Sequence, residues 1–276
     1  MSQAFTFYKM TGAGNDFVCI DNRKGNVRLT KKKIAALCDR HFGVGGDGLL
    51  LLETINRKDV DFRMKYYNAD GGPADMCGNG ARCFANFARQ CRAVSPKKKG
   101  IRFMTLAGVI EADYLTGGQV RITLTEPEDQ RLHIPLKTKT GGKLEAHFLN
   151  TGVPHVVVYK KDLEKLCVKT LGSEIRWHKA FAPAGANVNL VELTGKSSIR
   201  VRTYERGVED ETLACGTGVT AAALISHLVH SINSPVSVKV QGGPTLKVGF
   251  KKTATGFEQV TLTGPATYCY KGMIEV

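Results

Sequence analysis

Two segments of this chain begin Cys-Gly-x-Gly and continue with helical patterning. They are CGNGARCFANFARQCR, from Cys77 to Arg92, and CGTGVTAAALISHLVH, from Cys215 to His230. Their first cysteines stand 138 positions apart (215 − 77), half of the 276 residues. In the first segment Phe84, Phe87, Ala88 and Cys91 recur at i, i+3, i+4 and i+7, one face of a helix. The second is small or apolar nearly all round, as in a fully buried helix. Almost everything else reads as strand. Residues 5–10, 17–22, 48–53, 61–68, 120–126, 155–160, 187–193, 198–205 and 236–241 are rich in β-branched or aromatic residues. Each is bounded by Gly, Pro, Asn or Asp. Strands followed by a Cys-Gly-x-Gly helix occur once per half. The expectation is two related domains, each wrapping strands around one helix.

The length agrees, since about 150 residues per domain predicts roughly two, with a sizeable core and no need of staples. Hydrophobic residues at 42% and charged residues at 23% are ordinary globular values, which argues against disorder, collagen and coiled coil. No apolar run approaches the ~18 residues of a membrane helix. The opening MSQAFTFYKM lacks the basic and apolar regions of a secretory signal. A cytoplasmic protein is expected. Its eight cysteines (Cys19, Cys38, Cys77, Cys83, Cys91, Cys167, Cys215 and Cys269) are then reduced thiols.

Common motifs fail in their context. No cysteines have CxxC spacing, and His227 and His230 sit without an HExxH pattern, so no metal site is expected. Gly43, Gly45 and Gly48 match GxGxxG, but follow a helix-like stretch (30–40) and precede a strand. They read as a turn, not a nucleotide fingerprint. The net charge is +14, with runs at Lys31–Lys33 and Lys97–Lys99. The first run starts a helix after Thr30, a good N-cap, and the second lies in a loop. Without an aromatic RNA motif or a zinc finger, both read as solvated faces and no nucleic-acid partner is expected.

The Cys-Gly-x-Gly starts carry chemistry of their own. Helix N-termini expose unpaired N–H groups and partial positive charge, and glycines let a ligand approach the backbone. The site suits a carboxylate. The same field lowers a thiol pKa from about 8.5 toward roughly 3.5–7.5. Cys77 and Cys215 are therefore candidate thiolates, whereas Cys19, Cys83 and Cys91 read as packing residues. Two thiols across a carboxylate-binding cleft can invert a stereocentre. One removes the α-proton and the other returns a proton to the opposite face. Both helix starts would hold the developing negative charge.

The residues that surround these starts resemble one family over essentially the whole chain. The carriers are MTGAGNDFVCID (10–21), HFGVGGDG (41–48), YYNADGGPADMCGNGARCFANF (66–87), NTGVPH (150–155), GANVNL (185–190) and RTYERGVEDETLACGTG (202–218). They resemble the diaminopimelate epimerases, amino-acid epimerases that use no cofactor. The resemblance implies interconversion of LL- and meso-2,6-diaminopimelate, on the route to lysine and peptidoglycan. It implies that Cys77 and Cys215 are the acid/base pair, and that Gly78-Asn79 and Gly216-Thr217 bind the reacting carboxylate through backbone N–H groups. It implies substrate hydrogen bonds from Asn15, Asn68 and Asn187. Arg206 would clamp the distal carboxylate, and Glu205 would meet the amino group at the reacting centre. His155 and Glu205 would tune the thiols. The implied fold is α/β (α+β): two pseudo-symmetric domains, each a mixed β-roll or barrel around a central α-helix, with the active site in the interdomain cleft. The domains would span 1–118 plus 265–276 and 119–264, with residues 268–276 returning as a strand to the first.

This chain departs from the common family pattern at three places. Val153 replaces a substrate-binding Asn, Gly48 stands where some members have Gln, and ERGVEDETLAC is one residue longer than usual. Two competing readings make different predictions. A two-thiol racemase of a smaller amino acid, of the proline-racemase type, leaves Arg206 without a second carboxylate. A basic nucleic-acid-binding module predicts steeply salt-dependent binding and leaves the paired helix starts unexplained. A homodimer is compatible with the sequence, which does not set the oligomeric state.

Overall fold

The computed structural model of the chain describes residues 4–275. Residues 1–3, the start of the stretch read for a leader, and Val276, the end of the expected C-terminal strand, lie outside the described residues. The chain divides into two compact units. One runs through Ile122 and resumes at Gly264; the other is Thr123–Thr263.

The first unit contains β1 (Ala4–Gly12), β2 (Asn15–Asp21), α1 (Lys31–Cys38), β3 (Gly48–Glu53), β4 (Phe62–Asn68) and the short β5 (Pro73–Ala74). It continues with α2 (Gly78–Gln90), β6 (Gly100–Thr105), β7 (Gly108–Tyr114) and β8 (Gln119–Thr123). The second contains β9 (Glu128–Thr138), β10 (Gly142–Asn150), β11 (Pro154–Tyr159), α3 (Val168–Arg176), β12 (Asn187–Gly195) and β13 (Ser198–Glu205). After these come β14 (Asp210–Thr212), α4 (Gly216–His230), β15 (Val236–Val240), β16 (Thr245–Lys252) and β17 (Phe257–Pro265). The last strand, β18 (Thr267–Glu275), lies antiparallel to β1 of the first unit.

The two units repeat one topology. In the first, the strand order is β18-β1-β2-β3-β4-β6-β7-β8. The successive pairings are antiparallel, antiparallel, parallel, antiparallel, parallel, antiparallel and antiparallel. In the second, β9-β10-β11-β12-β13-β15-β16-β17 shows the same series. The short β5 and β14 flank β4 and β13 in the same way. Each parallel pair needs a crossover. In the first unit α1 carries one and α2 the other; in the second, α3 and α4 do so.

The crossovers cover both faces of the sheet, so β3, between β2 and β4, is a run of four leucines. Leu49–Leu52 of β3 are all buried, and Leu49 and Leu51 meet Ile34 and Leu37 of α1 in one core cluster. The opposite face receives α2, which packs against β18, β1, β2, β3 and β7. A helix touching strands near both ends of the order requires the sheet to curl around it. In the second unit α4 packs against β10, β11, β12, β13, β15 and β16, while α3 closes the other core with Leu171, Ile175, Val156 and Val158. The described residues contain no helix long and apolar enough to cross a membrane.

Candidate active site

A crossover helix that leads into a strand parallel to the previous one must run back along the sheet. Its N-terminus therefore lies at the carboxyl end of the strand it follows. This puts Cys77 beyond β4 and Cys215 beyond β13. Strand register brings further residues to the same ends. In the first unit Phe17, two residues into β2, pairs with Gly48, which opens β3, and Gly48 pairs with Asn68, which ends β4. In the second His155 of β11 pairs with Asn187, which opens β12, and Val188 opposite Tyr204 brings Glu205 to the same end of β13. Asn15 opens β2, and Arg206 follows Glu205. Every residue expected at the site thus lies at the cysteine end of its own unit.

Cys77 is the N-cap of α2, in extended backbone, and its Sγ accepts from the Gly80 N–H at 3.4 Å. It also donates to Asn15 Oδ1 at 3.4 Å. The Asn15 amide is held from behind, because its Nδ2 donates to Asp47 Oδ2 at 2.6 Å. Asp47 comes from the Gly43–Gly48 segment, which is the expected turn, with Gly45 at φ +76. Arg40 bridges Asp47 and Asp16, at 2.8 Å and 2.7 Å from the same Nη2, and Lys9 lies 2.7 Å from Asp16. Burial alone would raise the Asp16 carboxyl. The hydrogen bonds from Arg40 and Lys9 outweigh it and hold the group well below the usual carboxylate range.

Asn79 and Arg82 are buried behind the first turn of α2. Asn79 Nδ2 reaches Asn15 Oδ1 at 3.4 Å, while Asn79 Oδ1 accepts from Arg82 Nη2 at 2.7 Å. Asn68 is exposed and accepts from the Tyr66 hydroxyl at 3.0 Å. Gly48 has no room for a side chain. A Cβ there would stand 2.5 Å from the Tyr67 carbonyl oxygen and 2.8 Å from the Tyr66 ring, so this chain fills with tyrosine the space a longer residue would take.

Cys215 caps α4 and is 7% exposed. Its Sγ lies 3.5 Å from the Thr217 hydroxyl, which lies 2.9 Å from His155 Nε2. The direction of these bonds follows from Asn189. Its Nδ2 donates to the Val156 carbonyl at 3.1 Å and faces His155 Nδ1 at 3.2 Å, while its Oδ1 accepts from Thr203 at 3.0 Å. A carbonyl only accepts, so Nδ2 is oriented, His155 Nδ1 accepts, and the ring proton sits on Nε2. His155 then donates to Thr217, whose own hydroxyl proton is available to Cys215. Burial, and then the charge of Arg206, push His155 down to about 3, so it is neutral. It reaches the thiol through Thr217. Sequence reading missed Asn189 and Thr203. Their only signal is alternation: together with His155 they face α4 from three adjacent strands, whereas Val156, Val188 and Tyr204 face α3.

Asn187 is 4% exposed and braces the backbone. Its Nδ2 donates to the Pro154 carbonyl at 3.2 Å and its Oδ1 accepts from the Arg206 N–H at 2.8 Å. Thr151 holds the Thr217 carbonyl at 3.0 Å. The longer loop after Arg206 is pinned by Glu209, which accepts from Gly207 N–H at 3.0 Å, Tyr204 OH at 3.1 Å and Arg176 Nε at 3.3 Å. Neither α2 nor α4 carries an acidic residue in its first turn, so neither helix cancels the partial positive charge of its own N-terminus. What the two helix starts can do chemically is bind carboxylates and ionise thiols.

A sequence profile of the diaminopimelate epimerases matches residues 7–128 and 147–269, one Cys-Gly-x-Gly helix in each segment. The chain belongs to the diaminopimelate epimerase family. It is 44% identical to the diaminopimelate epimerase of Chlorobaculum tepidum over 96% of this chain and 99% of the relative. It is 41% identical to that of Aquifex aeolicus over 97% of each. Among solved structures it shares its fold with a phenazine biosynthesis protein of the PhzF family from Bacillus anthracis. That match has a TM-score of 0.75 at 17% identity over 99% of this chain and all of the other. A hydroxyproline epimerase from Agrobacterium vitis superposes with a TM-score of 0.70 at 15% identity, over 99% and 93% of the two chains.

One group outside the epimerase residues gathers metal-ligand atoms. His133, Glu145 and His147 place them within 4.8 Å of one another. His147 Nδ1, however, accepts from the His133 backbone N–H at 3.2 Å. Its proton therefore occupies Nε2, the atom facing Glu145, where a metal would need a lone pair. Burial holds the His147 ring below the usual imidazole range, so it faces Glu145 Oε1, 3.7 Å away, as a neutral ring and not as a metal ligand.

Proposed function

We propose that this chain is a diaminopimelate epimerase. It interconverts LL- and meso-2,6-diaminopimelate by moving one α-proton between two thiols, in a reducing cytoplasm. The observation that carries the reading is the repeated one. Cys77 and Cys215 are the N-cap residues of equivalent crossover helices of two units with one topology, and neither helix has an acidic residue in its first turn. In the proposed step one cysteine thiolate takes the α-proton. The C–H electron pair moves onto the reacting carboxylate, held by the N–H groups at Gly78-Asn79 and Gly216-Thr217. The other cysteine gives its S–H proton to the opposite face of the carbon, and the two thiols finish with exchanged protonation. Asn15, Asn68, Asn187 and Glu205 are proposed contacts for the rest of the substrate. Arg206 is the proposed clamp for its distal carboxylate, which favours a dicarboxylate over a smaller amino acid.

The test is incubation of purified, reduced protein with LL-diaminopimelate in deuterated water. One deuterium is expected at a single α-carbon as the meso isomer appears, and absence of exchange would sink the proposal. Cys77→Ser and Cys215→Ser should each lower the rate severely while leaving thermal unfolding at pH 6 near that of the wild type. A substrate panel including proline separates the smaller-substrate racemase.

A further inference from the structure

Arg82 is a charged group for which the reaction, as written above, has no use. It is fully buried in the first turns of α2, 0% exposed. Its side chain turns back toward the helix start, as long helical side chains do. Nη1 donates to the Gly78 carbonyl at 3.2 Å, Nη2 to Asn79 Oδ1 at 2.7 Å, and Nε to the Pro265 carbonyl at 3.5 Å. All three acceptors are neutral, and Arg82 takes part in none of the ion pairs among the described residues. A buried cation without a counter-charge is costly, and a guanidinium does not solve the problem by losing its proton at neutral pH.

The ionisable groups whose negative charge would favour the Arg82 cation are two thiols of the same helix start, Cys83 and Cys77. They are not equivalent. Cys83 is completely buried, and that burial pushes its thiol far up, so it stays protonated. Cys77 is half-buried and accepts an N–H at the helix start. Other charged groups on the elements packed around α2 are already matched. Lys9 of β1 pairs with Asp16 of β2, Glu53 of β3 with Lys65, and Glu111 and Asp113 of β7 with Arg102 and Arg121. Cys19 of β2, Tyr8 of β1, Tyr114 of β7 and Cys269 of β18 are raised, each chiefly by burial, and are neutral near pH 7. On β18, Tyr270, Lys271 and Glu275 are exposed to solvent.

We infer that Arg82 is the buried counter-cation of the Cys77 thiolate, a positioning residue that holds this end of the two-thiol pair in its ionised form. The inference rests on the epimerase reading for its purpose, though not for its test. The bond to Asn79 Oδ1 also turns Asn79 Nδ2 toward Asn15 Oδ1; that oxygen accepts the neutral Cys77 S–H and disfavours the thiolate, so the Arg82 charge acts against it.

The test follows alkylation of the full-length, reduced protein by iodoacetamide as a function of pH, with the Cys77 and Cys215 peptides read separately by mass spectrometry. Arg82→Gln should raise the midpoint of Cys77 alkylation by about one pH unit, a roughly tenfold slower reaction at pH 7, with the Cys215 profile unchanged. Arg82→Lys loses the forked bonds and keeps the charge, so its Cys77 midpoint should stay near the wild-type value. An unchanged midpoint in Arg82→Gln overturns the inference, as does an Arg82→Lys midpoint that moves equally far. Cys77→Ser gives a comparison that leaves the arginine in place. A thiolate favoured by the fold stabilises it above the ionisation of the unfolded thiol. Cys77→Ser should therefore be less stable than wild type at pH 9 and not at pH 6, and an equal difference at both overturns the inference. Alkylation does not depend on turnover. Failed deuterium exchange with a retained Cys77 shift therefore refutes the epimerase reading alone.

Discussion

Replacing Thr217 with valine keeps the shape of the side chain and deletes one hydroxyl, the group that joins His155 to Cys215. His155 is completely buried, and its Nε2–H donates to that hydroxyl at 2.9 Å. In Thr217→Val the donor faces a methyl group. A buried donor without an acceptor costs about 1–3 kcal/mol. For a unit of roughly this size each kcal/mol lowers Tm by about 2–4 °C, so a fall between about 2 and 12 °C is expected. The second effect is on the thiol. Cys215 loses a hydroxyl donor at 3.5 Å, a long bond, so the loss should be near the low end for hydrogen bonds to charged groups. About one pKa unit, or ~1.4 kcal/mol, is the expected penalty on the thiolate. The acid limb of the kcat/KM profile should therefore move up by about one pH unit. Thr217→Ser should restore both properties. Thermal unfolding by circular dichroism and the pH profile of epimerisation are the assays. A Thr217→Val chain with wild-type Tm and profile would refute the hydrogen-bond chain, and a serine variant that behaves like valine would assign the effect to the methyl group.

Two further outcomes follow from the same geometry. The His155 pKa falls from 6.5 to about 3 on folding, so the neutral ring is the form the fold favours. Below about pH 6.5 the unfolded chain takes up a proton that the folded chain refuses, and stability declines as pH falls toward 3. His155→Gln should be less stable at pH 7.5 and lose less stability than wild type between pH 6.5 and 4 in urea titrations; an unchanged slope would refute the assignment. Asp47→Ala removes the 2.6 Å acceptor that fixes the Asn15 amide, so kcat should fall by roughly tenfold for about 1.5 kcal/mol of lost orientation, with Asp47→Asn intermediate. Wild-type kcat in Asp47→Ala would show that Asn15 needs no brace.

Much of the fold was legible because its signals are local. Cys77 and Cys215 sit as N-caps where the Cys-Gly-x-Gly starts place them, and Thr30 caps α1 by accepting from the Lys33 N–H at 3.3 Å. The nine expected strands all form. Strands β6, β7, β9, β10, β16 and β17, the short β5 and β14, and helix α3 escaped the reading. Their sequences mix polar with apolar residues: β9 is largely exposed, and Gly172 sits inside α3. That glycine is needed because a Cβ would stand 2.4 Å from Tyr204 Cβ, a contact between elements far apart in the chain.

Candidate site residues divide along the same line. Cysteines, glycines and the Glu205-Arg206 pair belong to contiguous motifs, so chain order alone identifies them and the family. Asp47 behind Asn15, Arg82 beneath the α2 start, and Asn189 with Thr203 behind His155 act across strands or from inside the core. Their chemistry depends on which face of the sheet each residue meets and which atom points where. The sequence by itself determined two helix starts able to bind carboxylates and ionise thiols, because caps and periodicity are properties of a few adjacent residues. Only the tertiary structure decided which proton each neighbour holds and which charge lies unmatched, because hydrogen-bond direction and desolvation are set by groups that the pairing of distant strands brings together.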